Sequence, residues 1–96
     1  MITNSNTKLP HEDGTTLNYS QILTFVVRNS AAAKGVTIGE MRDRLKLLAL
    51  LEAAKDKEEI DLTEEQQAQL ATMLDEHRFP MDSEDLITLA DTLRVT

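Results

Sequence analysis

The side chains able to do chemistry in this sequence are few and scattered. His11 lies in a polar stretch and His77 at a predicted helix end, and no His-Glu-x-x-His is present, so a helical zinc site has no ligands. With no cysteine in the chain, thiolate metal sites, cysteine nucleophiles and disulfides are excluded, which fits a reducing compartment. The stretch around Asp56 lacks the glycine and the spaced oxygens of a calcium loop. Three glycines, at 14, 35 and 39, never cluster into a phosphate-cradling loop. The adjacent acids Glu64 and Glu65 fall on an exposed first helical turn, where nothing desolvates them or separates their pKa values. Glu84 and Asp85 likewise suit the positive end of a helix dipole. A chain of 96 residues also has little room for a pocket that excludes water. The expectation is a protein without enzymatic activity, metal or cofactor.

The elements that carry these residues are marked by their helix starts. Asn18 with Gln21, Thr37 with Glu40 and Thr63 with Gln66 each have capping-box spacing, and Asp82 is placed to cap a fourth helix. Apolar stripes follow each start: Ile22, Leu23, Val26 and Val27; a broad set from Met41 to Ala54; Leu70, Ala71 and Leu74; and Leu86, Leu89, Ala90 and Leu93. Ala31-Ala32-Ala33-Lys34 extends the first helix toward Gly35, which suits a left-handed C′ position. Phe79-Pro80 is expected to stop the third helix. Between the second and third helices, Ile60 and Leu62 alternate with acids as an extended connector whose apolar side chains enter the core. Residues 1–16 are polar, with Pro10 and Asp13-Gly14 as turn signals, and read as a flexible N-terminal arm with a short extended piece near Leu9. The expected fold is all-α: residues 17–96 form one compact bundle of about four helices behind that arm.

Charge divides the chain. Residues 1–57 carry eight basic and six acidic side chains (net +2), residues 58–96 two basic and eleven acidic (net −9), together the overall −7. An acidic half repels phosphate and disfavours nucleic acid as its partner. The longest apolar runs, such as Leu47-Leu48-Ala49-Leu50-Leu51, are too short to span a bilayer, and residues 1–6 have no secretory-signal pattern. A cytoplasmic location is expected.

The second helix has more apolar surface than one neighbour can cover. Met41, Leu45, Leu48 and Glu52 lie on one line; Leu47, Leu50, Leu51 and Ala54 lie on an adjacent one. Either this helix is central in the domain, or one edge of it faces a second copy; in the second and preferred reading Leu47, Leu50 and Leu51 are the self-association face of a homodimer, and Leu51→Glu would give a soluble, helical monomer. Glu64, Glu65, Asp75, Glu76, Glu84 and Asp85 either form an acidic face for a protein partner or serve solubility alone.

Two resemblances add to this. Ala31-x-x-x-Gly35-Val36-Thr37-x-x-x-Met41-x-x-x-Leu45 resembles the turn of helix-turn-helix DNA-binding proteins. That resemblance implies a transcriptional regulator with Thr37, Ile38, Arg42 and Arg44 toward the major groove, although Glu40 and Asp43 would meet phosphate unfavourably. Across residues 14–94, the order Leu17, Ile22, Leu23, Val26, then Arg42-x-Arg44-Leu45-x-x-Leu48, then Ile60-Asp61-Leu62-Thr63-Glu64-Glu65 and a Pro80 break before a last Leu-rich helix resembles small helical accessory proteins encoded by phages and prophages. It implies a non-enzymatic protein that acts on phage or host proteins, such as an assembly factor, in the cytoplasm of a bacterial host. A protein-interaction module is the first expectation, and a DNA-binding regulator the alternative.

Overall fold

Asn18 opens the first helix by the chemistry its position predicts. Its side-chain oxygen accepts the Gln21 N–H at 3.0 Å, and Gln21 Oε1 accepts the Asn18 N–H at 3.0 Å. The computed structural model describes residues 2–10, 14–30, 35–79 and 81–94, and helix α1 runs from Tyr19 to Asn29 with Ile22, Leu23, Val26 and Val27 buried. Thr37 caps α2 (Ile38–Ala54), its hydroxyl oxygen accepting the Glu40 N–H at 3.2 Å. Here the box closes through side chains, the Thr37 hydroxyl donating to Glu40 Oε1 at 3.2 Å. Thr63 and Gln66 form the full reciprocal box at the start of α3 (Glu64–Glu76). Helix α4 covers Glu84–Arg94, starting one residue later than an Asp82 cap predicts.

Two helix ends also differ from expectation. Helix α1 stops at Asn29, and the extension through Ala31–Lys34 lies outside the described residues. Gly35 does adopt a left-handed backbone, φ 71°, but it serves the link into α2, not the end of α1. Helix α3 ends at Glu76, with His77 already extended at φ −75° and ψ 137°. Arg78 and Phe79 therefore lie beyond it, and Pro80 is outside the described residues.

The all-α expectation is overturned. Among the described residues, four short strands accompany four helices: β1 (Ile2–Thr3), β2 (Asn6–Pro10), β3 (Thr16–Asn18) and β4 (Glu59–Ile60). They make two small antiparallel sheets, β1 with β4 and β2 with β3, with Ile2 opposite Ile60 and Asn6 opposite Asn18. The segment expected to be a flexible arm is thus docked along residues 2–10, where Ile2, Asn4 and Thr7 are buried. The extended connector behaves as expected, with Ile60 and Leu62 in the core.

The docked segment closes the C-terminal end of α2. The last carbonyls of a helix have no partner within it. Here the Ser20 hydroxyl donates to the Leu51 carbonyl, Asn4 Nδ2 donates to the Ala54 carbonyl at 3.0 Å and the Lys57 carbonyl at 2.9 Å, and Asn18 Nδ2 donates to the Lys55 carbonyl at 2.7 Å. The second half of α2 is therefore fixed against α1 and the strands. Its first half is held chiefly by Arg44, whose guanidinium donates to the Val27 carbonyl and the Ser30 hydroxyl at the end of α1.

Candidate functional site

Clamped this way, α2 presents different apolar surfaces to its own core and to solvent. Leu47, Leu51 and Ala54 face inward, with exposures of 1%, 0% and 5%. Ile38, Met41 and Leu45 are exposed at 64%, 42% and 65%. At 3.6 residues per turn the two sets are centred roughly 140° apart around the helix axis. The spacing of the outer set, three residues and then four, continues in the half-buried Leu48, so the side chains form one strip along the helix.

The expected self-association face is therefore corrected. Leu47 and Leu51 belong to the chain's own core, and Leu50 packs against that core while half buried. The reason is the side on which α1 lies: it covers the line through Leu47, Leu51 and Ala54 and leaves the line through Met41 and Leu45 open. Ile38, assigned above to DNA, joins that open line. Its signal was in the sequence as an apolar residue three positions before Met41.

The four residues placed toward a DNA groove have separate tasks. Thr37 is the cap of α2, Ile38 is part of the strip, Arg44 is bonded to the end of α1, and Arg42 is exposed. Helices α1 and α2 are separated by residues 30–37, more than the turn of about 3–4 residues that defines a helix-turn-helix. Ala31 of that motif lies outside the described residues.

The six acidic residues do not act as one free face. Glu64, Glu65, Glu76 and Glu84 are exposed, but Asp75 is ion-paired with Arg94 across α3 and α4. Asp85 is half buried and accepts the Lys8 N–H at 2.9 Å, which ties β2 to α4.

Asp85 also acts on the single tyrosine. Tyr19 is buried, and desolvation raises its pKa above the ordinary 10.0. The negative charge of Asp85 raises it further, while a hydrogen bond with the Ser5 side chain opposes the shift. A raised folded-state value means that the native protein holds this proton more tightly than the unfolded chain does. Stability from this source is complete below pH 10 and declines as pH rises through the folded-state pKa. The chain has one tyrosine and no tryptophan, so tyrosinate absorbance reports on Tyr19 alone. Native protein is expected to titrate at higher pH than protein in denaturant; coincident curves would refute the burial argument.

Two open grooves flank α2. One, of about 760 Å³, runs between the end of α1, α2 and α3 and is lined by Glu40, Asp43, Arg44, Met73 and Glu76 among others. The other, about 770 Å³, lies between the β2–β3 hairpin, α1 and α2, where Arg28 bridges to Glu52 at 2.6 Å. In the first groove the Thr37 hydroxyl meets the Glu40 carboxylate at 3.2 Å, and that pair is occupied in capping α2. Among the described residues, no group of three or more histidines or carboxylates is placed to hold a metal ion, and no helix is long and apolar enough to cross a membrane. His77 is taken up in an aromatic row, its ring edge-on between Phe25 at 5.4 Å and Phe79 at 4.5 Å, an association that sequence reasoning missed.

No family model, curated protein or solved structure matches this chain. Of the six exposed large apolar side chains among its described residues, three lie in the α2 strip.

Proposed function

We propose that this protein is a non-enzymatic protein-interaction module whose docking element is the outer strip of α2. The observation that carries this reading is the exposure of Ile38, Met41 and Leu45 along one line of a helix whose opposite side is already buried. Single exposed apolar residues need no explanation, but a contiguous row on a rigid helix is the usual form of a helix-mediated contact. The charged side chains of the described residues are engaged in part in helix starts and ion pairs, as with Glu40 at Thr37, Arg28 with Glu52 and Asp75 with Arg94. The resemblance to small phage and prophage proteins adds an accessory or assembly role in a bacterial cytoplasm.

Oxidation footprinting in the native cell tests the docking element. Met41 sits in the strip at 42% exposure, and Met81, in the link between α3 and α4, has a comparable 48%, so the two sulfurs of a free protein should oxidise at similar rates. Docking through α2 is expected to slow oxidation of Met41 several-fold relative to Met81. Equal oxidation in the cell would remove the proposal.

A further inference from the structure

Building on the docking role proposed above, we infer that a second copy of this chain covers the strip, with the two α2 helices parallel about a two-fold axis along their length. Ile38, Met41, Leu45 and Leu48, the last half buried against the chain's own core, are spaced by three, four and three residues. This is the alternation by which a helix seats its side chains between those of an identical helix. A two-fold contact requires one surface to be complementary only to itself, and this strip meets the requirement by laying each apolar residue level with its own copy.

Charge selects the direction. With Ile38 at position a of the heptad, Arg42 and Ala49 occupy e, while Thr37 and Arg44 occupy g. In an antiparallel pair e faces e and g faces g, and alternating Met41 with Leu45 centres the axis near Asp43. Arg42 would then oppose the Arg42 of the other copy, whereas the Arg44 guanidinium is turned back onto the end of its own α1. In a parallel pair g faces the following e, so Arg42 meets Thr37, with no like-charge pair. Flanking charges set orientation in such seams. Glu52, at the next a position, is held by Arg28 of its own chain at 2.6 Å and ends the seam after Leu48.

The seam from Ile38 to Leu48 is about 15 Å long and draws four side chains from each copy, against the roughly 20–30 residues a side of a standard interface. Association is therefore weak.

Sedimentation of the purified chain, together with disulfide trapping, tests this. The wild type should pass from monomer to dimer between low and high micromolar concentration, and Leu45→Glu should remain monomeric with unchanged helicity, since Leu45 is 65% exposed. The chain has no cysteine, so Leu45→Cys supplies a single thiol. In the parallel pair it lies level with its copy and should cross-link at least tenfold faster than Ile87→Cys, an exposed control on α4. An antiparallel pair would separate the two thiols by about 10 Å and instead favour cross-links in a mixture of Met41→Cys and Leu45→Cys. That pattern would overturn the inference, as would a dimer that survives Leu45→Glu. A monomer at high concentration would overturn it too. If Met41 is nonetheless protected in the cell, the docking role stands and only the identity of its occupant falls; loss of both would remove the two together.

Discussion

Leu51→Glu is expected to abolish the folded state. Leu51 has no solvent exposure, and its own carbonyl is taken by the Ser20 hydroxyl at the junction of α1 and α2. Replacing it removes a buried leucine, a loss of about 2–5 kcal/mol by itself. It also puts a carboxylate among apolar side chains, where it must be protonated or break the packing, at several kcal/mol more. A domain of this size has only about 5–10 kcal/mol in total, so no cooperative thermal transition should remain by circular dichroism. The sequence reading above expects the opposite for this substitution, a soluble helical monomer, because it places Leu51 at a dimer seam. Leu45→Glu, six residues earlier on the open side of the same helix, is the matched comparison and should change stability by less than about 0.5 kcal/mol. A Leu51→Glu protein that melts like the wild type would contradict the burial assigned to α2.

The difference between those two leucines shows which parts of the structure could be read in advance. Cap geometry was legible because it is local: Asn18 reaches Gln21, and Thr63 reaches Gln66, within one turn, and no tertiary contact is needed to specify them. The breadth of apolar surface on α2 was legible for the same reason. Its division was not, because which line is buried depends on where α1, β4 and the first ten residues settle. The strands were hidden for a related cause. Two-residue strands such as Ile2–Thr3 and Glu59–Ile60 have no periodicity of their own and form only when the two ends of a long loop meet. A polar run containing Asn4, Ser5, Asn6 and Thr7 reads as solvated until its hydrogen bonds are seen to be used. The candidate site was legible in part. Met41 and Leu45 were recognised as a line of their own, and the charges of Arg42 and Arg44 were noted, but dimerisation was assigned to the neighbouring line.

Asn4 gives the sharpest test of how that polar run holds the fold. Its side chain is buried and uses three hydrogen bonds: Nδ2 donates to the Ala54 and Lys57 carbonyls at 3.0 and 2.9 Å, and Oδ1 accepts the Ser20 N–H at 2.8 Å. Its backbone N–H donates to the Glu58 carbonyl at 2.8 Å, so the first strand is fixed to the end of α2 through one residue. Asn4→Ala keeps the backbone bond but strips the buried Ser20 N–H of its acceptor and removes a donor from two carbonyls, that of Ala54, which keeps the Lys57 N–H at 3.0 Å, and that of the exposed Lys57. At about 1–3 kcal/mol for the unmet buried N–H, with the two lost carbonyl bonds adding to it, a loss of about 3 kcal/mol is expected. Asn4→Asp separates donor from acceptor. It can still accept from Ser20, but it sets a second oxygen against two carbonyl oxygens and should cost at least as much as alanine. Urea titration followed by helicity measures both, and a change under about 1 kcal/mol for alanine would mean that the N-terminal segment is not docked as described. The consequence reaches the docking strip. Freed from Asn4, the end of α2 loses its tie to the first strand while keeping those from Ser20 and Asn18, and the angle at which Ile38, Met41 and Leu45 project from the body is held less firmly. Under native conditions Asn4→Ala should therefore weaken self-association even though residue 4 lies outside the strip. Leu45→Ala should weaken it with stability unchanged.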